Sequence, residues 1–153
     1  MGVEARMTEL GLTLPPAPKP LAAYVPAVRA GNLVFTAGQI PTVAGELKYK
    51  GKVGQDLSKE EAYEAARVCT LNALAAIKGV IGDLDKIVQV AKVVAFVNSA
   101  PGFTAQPGVA NGASELLGQI FGDAGKHARS AVACNELPID AAVEVELTVL
   151  VRD

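Results

Sequence analysis

One apolar run decides the fold of this chain: Ile87-Val-Gln-Val-Ala-Lys-Val-Val-Ala-Phe-Val-Asn98. β-branched residues dominate the run, and such residues favour strands. Its centre, Val93-Val-Ala-Phe-Val97, is apolar at every consecutive position, so side chains on both faces of the strand require a cover. The run therefore predicts a central strand in a sheet that is apolar on both sides.

Two segments on either side of this strand have the periodicity of amphipathic helices. The first begins with the capping box Ser58-Lys-Glu-Glu61 and ends before Gly82. The residues predicted to form its apolar stripe are Ala62, Ala66, Cys69, Ala73, Ile77 and Val80. The second helix spans residues 107–121, and the residues predicted to face inward are Val109, Ala113, Leu116, Leu117 and Ile120. Two long helices are thus available to cover one face of the sheet.

The remaining strands are predicted from short apolar runs beside turn signals. Residues 22–28 and Leu33–Thr36 flank a Gly-Asn turn and predict a hairpin. Residues 42–56 predict an exposed loop with one short strand, and residues 128–135 and 142–152 predict the last two strands. This order predicts an α+β fold, with a mixed six-stranded sheet and two long helices on one face. The other apolar face has no helix to cover it, so we expect an oligomer.

The first twenty residues precede this pattern. Residues 3–12 predict a short helix. Leu14-Pro-Pro-Ala-Pro-Lys-Pro20 predicts an extended arm, because each proline fixes its own φ and biases the residue before it. The chain has 153 residues, which is enough for one compact domain with a core. We therefore expect residues 1–153 to form a single domain, in which residues 1–20 are a helix and a Pro-rich arm.

Composition and charge disfavour several classes of protein. The net charge is -2 and the 14 Lys and Arg residues form no cluster, so a nucleic-acid partner is not favoured. No run reaches the length of a membrane span and no secretion signal opens the chain, so we expect a cytoplasmic protein without a membrane partner. Cys69 and Cys134 are expected to be small buried residues in a reducing compartment, not a disulfide scaffold. With His127 they have no zinc-site spacing, so no metal is expected.

The strongest candidates for chemistry are Arg129 and Glu144, near the starts of the last two predicted strands. An arginine there can hold a substrate carboxylate through a two-pronged hydrogen bond, which a lysine cannot copy. A carboxylate nearby can position a water or move a proton. Taken alone, the same two residues also fit a solvated salt bridge between adjacent strands. We expect His127 to be a structural or edge histidine beside Arg129.

Three further residues have a functional and a structural interpretation each. Gly38 ends a strand, where the backbone can approach a ligand or simply form a bulge. Tyr24 is placed at the start of the first strand, where a half-buried tyrosine usually packs. Asn111 lies near the start of the second helix, where it can cap a turn. The sequence contains no Gly-x-Ser-x-Gly elbow and no glycine-rich phosphate loop.

Together, these segments resemble one family over nearly the whole chain, from about Tyr24 to Arg152. The motifs that carry the resemblance are Thr36-Ala-Gly-Gln-Ile-Pro41, Val97-Asn98, Asn111, Ala128-Arg-Ser130, Glu136-Leu-Pro138 and Val143-Glu-Val-Glu146. Their order and spacing are similar to those of the reactive intermediate deaminase family (Rid or YjgF, also labelled endoribonuclease L-PSP). The N-terminal arm and the Gly-Lys-His-Ala-Arg-Ser segment are similar to a longer subgroup.

This resemblance implies a chorismate-mutase-like α+β fold that forms a homotrimer with a central barrel and outer helices. It implies active sites in clefts between subunits, which hydrolyse enamines and imines such as 2-aminoacrylate to 2-keto acids and ammonia. It implies a small imino or keto acid as ligand and no cofactor.

Residue by residue, the resemblance implies that Arg129 binds the substrate carboxylate and that Glu144 acts on the hydrolytic water. The same resemblance places Tyr24, Gly38 and Asn111 at ligand-contacting positions. It also implies a ligand contact at Ala131, made largely through the backbone.

This chain departs from many family members at two positions. Ala37 stands where many members have Ser, and Ala131 stands where many have Cys. These changes leave open a trimer that binds keto acids without turnover. An endoribonuclease or translation inhibitor is a further alternative, which the missing basic patch and the missing His/Lys acid–base pair disfavour.

Overall fold

The structure is a computed structural model that describes residues 1–20 and 23–153. In chain order its helices and strands are α1 (Val3–Glu9), β1 (Ala27–Ala30), β2 (Leu33–Thr36), β3 (Thr42–Val43), β4 (Glu46–Leu47), α2 (Lys59–Ile81), β5 (Ile87–Asn98), α3 (Gln106–Phe121), β6 (Ala128–Cys134) and β7 (Val143–Val151). Short 3-10 helices occur at Leu84–Lys86, Gly122–Gly125 and Pro138–Asp140.

The central sheet has five strands in the order β1-β2-β7-β5-β6. Its neighbouring strands are antiparallel except β5 and β6, which run parallel, so the predicted mixed sheet is confirmed. The predicted count of six strands is wrong, because β3 and β4 form a separate hairpin. Ala44 and Gly45 have positive φ and close this hairpin locally. Asn72 Nδ2 donates to the Ile40 and Thr42 carbonyl oxygens, at 3.1 and 3.0 Å, and holds the segment against α2.

Both long helices pack on the same side of the sheet, as predicted. Helix α2 packs on β1, β2 and β7, and α3 packs on β5 and β6. The Ser58–Glu61 capping box is present, and Gly82 ends α2 with φ 82°. All the residues predicted to face inward from α3 are buried, and so is the α2 stripe except for Val80. The stripe ends on Ile81 instead, because residue 81 follows Ile77 by four positions and stays on its face.

Burial alternates along β7 and defines the two faces of the sheet. The residues that point toward the helices and are buried are Val143, Val145, Leu147, Val149 and Val151. The intervening side chains point to the other side. We call this second side the open face, and its members on the five strands include Val28, Phe35, Phe96, Val132, Glu144 and Glu146. Val28, Phe35 and Val132 are 53%, 40% and 44% exposed, so this apolar surface has no cover within the described residues.

The N-terminal segment folds back onto its own chain. Helix α1 confirms the predicted short helix, and its Met7 is buried. Val3 N donates to Asp85 Oδ1 at 2.6 Å, and Glu4 pairs with Lys78 at 2.6 Å. The Pro-rich arm has no regular secondary structure, as predicted, and Leu14 packs against the core.

The first sheet hairpin is confirmed, with a two-residue turn at Gly31-Asn32. The predicted apolar segment began at Ala22, which lies outside the described residues. Strand β1 starts at Ala27, so the placement of Tyr24 at the start of a strand is wrong. Pro26 precedes the strand and has no N–H to give to a ladder, which accounts for the later start.

The two cysteines differ in burial. Cys69 is fully buried in α2, as expected, whereas Cys134 is only partly buried. The expectation for Cys134 is wrong because β6 is an edge strand. Among the helices in the described part of the chain, none combines the length and apolar character that a membrane span requires.

Helices α2 and α3 pack closely against each other at Gly112. A β-carbon at this position would lie 2.1 Å from the Tyr63 carbonyl oxygen. We expect Gly112→Ala to force the helices apart and to lower the free energy of unfolding by about 3 kcal/mol. Thermal or urea unfolding measures this change.

Gly118 provides the matched control in the same helix, because a β-carbon there meets nothing within 4 Å. Gly118→Ala should raise stability by up to ~1 kcal/mol through helix propensity. Equal effects of the two substitutions would contradict the close-packing argument.

Candidate functional site

Arg129 is held from one side by helix α3. It pairs with Val93 across the parallel ladder and therefore points to the helix side of edge strand β6. Its Nη1 donates to Asn111 Oδ1 at 2.8 Å and to Ser114 Oγ at 3.1 Å. These two bonds use both Nη1 hydrogens. Within residues 1–20 and 23–153, the Nε–H and the Nη2 hydrogens have no partner, and that edge has the fork geometry that suits a carboxylate.

Asn111 is not a helix cap. Helix α3 begins at Gln106, so Asn111 lies in its second turn and its side chain oxygen is occupied by Arg129. The structural alternative, in which Asn111 caps a turn, is therefore wrong. Ser114, which the sequence interpretation passed over, is the second partner of Arg129. The available signal was the spacing of Asn111 and Ser114, which at i and i+3 share one helix face.

His127 joins the same network from the start of β6. Its Nε2 lies 2.9 Å from Ser114 Oγ, and its Nδ1 lies 2.6 Å from the Gly125 carbonyl oxygen. The expectation of a structural histidine near Arg129 agrees with this geometry, with Ser114 between the two side chains. We call Asn111, Ser114, His127 and Arg129 the arginine cluster.

Glu144 and Gly38 form a second group. Glu144 is part-buried on the open face of β7. Gln39 N donates to Val145 O at 2.8 Å and Val145 N donates to Gln39 O at 2.9 Å, which places Gly38 beside this strand. A β-carbon on Gly38 would lie 2.6 Å from Glu144 Cδ. Because Gly38 has no side chain, the Glu144 carboxyl group can occupy the space beside it. The role of Gly38 is therefore more than that of a simple bulge.

Burial raises the pKa of the Glu144 carboxyl group, and the nearby Glu146 raises it further. A carboxyl group whose pKa is raised holds its proton closer to neutral pH, which suits proton transfer. Burial and the Glu144 carboxylate also raise the pKa of both thiols, strongly at Cys69 and less at Cys134. Neither cysteine therefore has the environment of an activated thiolate nucleophile.

The two remaining predicted residues have different surroundings. Ala131 pairs with Ala95 and lies on the same side of β6 as Arg129, two residues along the strand. Tyr24 lies in the segment before β1, and its side chain is 55% exposed. The structure thus brings Arg129 together with Asn111 and Ala131, and brings Glu144 together with Gly38.

Arg129 and Glu144 do not meet within one chain. Strand β5 lies between their strands, since Arg129 is opposite Val93, and Val93 is opposite Leu147. Glu144 precedes Leu147 by three residues in β7, which puts the Arg129 and Glu144 Cα atoms ~14 Å apart at ordinary strand spacings. Their side chains also point to opposite faces of the sheet. The alternative of a salt bridge between adjacent strands is therefore wrong.

The described residues contain no other obvious catalytic constellation. No three His, Cys, Asp or Glu side chains in residues 1–20 and 23–153 lie close enough to hold a metal ion together. A cavity of about 670 Å³ lies between the Pro-rich arm and the β3–β4 hairpin, and its lining includes Pro16, Gln39 and Leu71. Neither Arg129 nor Glu144 lines it.

Comparison with known proteins gives consistent matches over almost the whole chain. Residues 4–150 match the family described as "YjgF/chorismate_mutase-like, putative endoribonuclease". Protein TCP17 of Trypanosoma cruzi is 42% identical over 150 residues, which cover 96% of this chain and 92% of TCP17.

Solved structures agree with these sequence matches. The Agrobacterium tumefaciens protein Atu1372 superposes with a TM-score of 0.92 at 42% identity, over 98% of this chain and 92% of that chain. A Shewanella oneidensis protein described as a "putative endoribonuclease" has a TM-score of 0.95 at 34% identity, over 99% of this chain and 100% of that chain.

The raised pKa of Glu144 gives a prediction about stability. Its contribution to stability is present below its unfolded-state pKa and is lost as the pH rises through the folded-state pKa. Because glutamine does not titrate, Glu144→Gln should melt at a higher temperature than the parent protein at pH 7. That difference should shrink as the pH falls toward about 4, the ordinary pKa of a glutamate. Calorimetry over this pH range measures both.

Glu136→Gln is the control, since Glu136 is an exposed carboxylate near the same end of the sheet. Its melting temperature should follow that of the parent protein at every pH. A lower melting temperature for Glu144→Gln at pH 7 would contradict the desolvation argument.

Proposed function

This chain belongs to the YjgF/chorismate mutase-like family, and from that premise we propose that it hydrolyses reactive imines and enamines of small amino acids. The substrates are compounds such as 2-aminoacrylate, and the products are a 2-keto acid and ammonia. The reaction takes place in clefts between the subunits of a homotrimer. Arg129 and Glu144 carry the reaction, with Tyr24, Gly38, Asn111 and Ala131 around the substrate.

The observation that carries the proposal is the bonding pattern of Arg129. Asn111 and Ser114 occupy Nη1, so the Nε–Nη2 edge stays available to a carboxylate. An imino acid presents its carboxylate next to the reacting carbon, so one two-pronged contact fixes the position of that carbon as well. This favours a small 2-imino or 2-keto acid as ligand.

The separation of Arg129 from Glu144 supports a site shared by two copies. One chain presents the arginine on the helix side of an edge strand and the glutamate on the open face. A cleft that uses both groups takes them from different chains. The exposed apolar residues Val28, Phe35 and Val132 supply a surface for such an association. We assign three copies because the family resemblance implies a homotrimer whose sheets close into a central barrel.

The chemistry needs a positioned water and one proton shuttle. The enamine takes a proton from solvent at its terminal carbon and becomes an iminium ion, whose carbon is electrophilic. Glu144 accepts a proton from water while the water oxygen forms a bond to that carbon, and the C=N π electrons move to nitrogen. Glu144 then returns the proton to the nitrogen. The C–N bond breaks with its electron pair on nitrogen, the hydroxyl group releases its proton to solvent, and ammonia and the keto acid result.

The endoribonuclease name that some relatives carry defines a second candidate function. RNA binding requires cationic contacts along a phosphate backbone. This chain has a net charge of -2 and places Glu144 and Glu146 on the open face. We therefore favour the small acid over RNA. RNA cleavage that persists through purification and disappears in Arg129→Ala would reverse this choice.

Arg129→Ala is expected to abolish most of the activity. Loss of a charge-assisted contact of this kind costs about 2–5 kcal/mol, so kcat/KM should fall by ~30-fold to several thousand-fold. Arg129→Lys should also be impaired, because lysine cannot form the two-pronged contact. The measurement is ammonia release from freshly generated 2-aminoacrylate, coupled to an amino-acid oxidase.

Arg67→Ala is the matched control, because Arg67 on α2 pairs with the exposed carboxylate of Glu64 at 3.6 Å and is not part of the arginine cluster. It should retain the parent rate. Failure of the parent protein to accelerate hydrolysis of several imines would sink the proposal. Keto-acid binding that depends on Arg129, without turnover, would leave the non-catalytic binding trimer in its place.

The assembly is tested by mass. Three chains of 15.7 kDa give about 47 kDa, which light scattering coupled to gel filtration resolves from a monomer. Phe35→Asp on the open face should shift the protein to smaller species, because it buries a charge at the interface. Val80→Asp is the control, since Val80 has the same 40% exposure as Phe35 but lies on α2. A monomeric parent protein would contradict the shared cleft.

A further inference from the structure

We propose that Ser114 and His127 are positioning residues, which hold the Arg129 guanidinium with its Nε–Nη2 edge turned toward the substrate carboxylate. This inference rests on the proposed role of Arg129 as the carboxylate anchor. It assigns a task to two side chains that neither touch the substrate nor belong to the residues proposed above.

The direction of each hydrogen bond in the arginine cluster follows from the groups involved. The Gly125 carbonyl oxygen can only accept, so His127 Nδ1 carries the hydrogen of their 2.6 Å contact. In the neutral imidazole, Nε2 is then an acceptor, and Ser114 donates its hydroxyl hydrogen to it across 2.9 Å. The Ser114 oxygen keeps its lone pairs for Arg129 Nη1, at 3.1 Å. Each donor in this series of hydrogen bonds therefore has one acceptor.

The Gly125 carbonyl group, at which this series of hydrogen bonds ends, lies in a closely packed turn. Gly125 is buried, and a β-carbon on it would lie 2.3 Å from the Leu117 carbonyl oxygen. The turn that carries the Gly125 carbonyl thus lies directly against α3, the helix that carries Ser114. His127 is fixed to that turn, and Ser114 is fixed to His127. These hydrogen bonds therefore fix the position of Arg129 relative to two closely packed elements, α3 and the turn Gly122–Gly125.

Positioning matters here because arginine is long and flexible. Its side chain has about 2 kcal/mol of rotamer entropy, part of which is lost when it binds. The bonds to Asn111 and Ser114 remove that freedom before the substrate arrives. They also occupy Nη1, so the carboxylate can take only the other edge. Without Ser114, Nη1 regains a free hydrogen and the guanidinium can rotate.

Ser114 and His127 are hydrogen-bonded to each other as a catalytic serine and its general base are, but their surroundings do not support that chemistry. Ser114 lies in the middle of α3, where the backbone N–H groups are bonded within the helix. No pair of free N–H groups is left there to stabilise an oxyanion. The Ser114 oxygen also accepts from Arg129, which lowers its availability for attack.

The test separates binding from chemistry. Ser114→Ala should raise KM about tenfold for the imine with kcat within about twofold, since the carboxylate is held equally in the ground state and the transition state. His127→Phe should raise KM by about threefold to fivefold, because Ser114 remains but is no longer oriented. Binding of pyruvate, measured by calorimetry, should weaken by the same factors.

Conservative variants and a control make the test specific. Ser114→Thr keeps the hydroxyl group and His127→Gln keeps an acceptor, so both should restore nearly the parent KM, and they also serve if Ser114→Ala does not fold. Gln119→Ala, at an exposed position of the same helix, should change neither constant. A parent-like KM in Ser114→Ala, or a collapse of kcat with KM unchanged, would overturn the positioning role.

The positioning role and the proposed hydrolysis of imines can each fail without the other. If the parent protein binds pyruvate but does not hydrolyse imines, the proposed function fails. The positioning role then stands on the Ser114 dependence of pyruvate binding. If the parent protein hydrolyses imines and Ser114→Ala binds pyruvate as tightly, the activity stands and the positioning role fails.

Discussion

Strand β5 must bury apolar side chains on both of its faces, and the two long helices cover only one. Val93, Ala95 and Val97 lie under α3 and its neighbours, whereas Phe96 lies on the open face beside Val132 and Glu144. Burial of apolar area is the main favourable term in folding and association, so this imbalance favours association through the open face. The same imbalance gives the chain two chemically different surfaces.

The two halves of the proposed site are each prepared within one chain, and by different means. On the helix side, hydrogen bonds from α3 and the turn before β6 fix a permanently charged guanidinium. On the open face, absence of a side chain at Gly38 makes room for a carboxyl group, and partial burial raises its pKa. The arginine is thus fixed by contacts, and the glutamate is tuned by desolvation.

Periodicity and capping were sufficient to predict both long helices, the sheet hairpin and strands β5, β6 and β7. The sequence did not reveal that β3 and β4 stand apart from the sheet, because no local pattern shows the bonds from the distant Asn72 that hold this segment against α2. It left a helix cap open as the structural alternative for Asn111 and overlooked Ser114, since their common role depends on which helix face meets β6. The separation of Arg129 from Glu144 depends on strand order and register, which no local pattern contains.

The placement of Arg129 and Glu144 on opposite faces has a genetic consequence if the assembly is the proposed trimer. Each chain then lends its arginine to the cleft with one neighbour and its glutamate to the cleft with the other. A chain that lacks only one of the two residues spoils one cleft of a mixed assembly, and a chain that lacks both spoils two. Two inactive alleles, one lacking the arginine and the other lacking the glutamate, can therefore complement each other when they are expressed together. An allele that lacks both residues is instead dominant-negative.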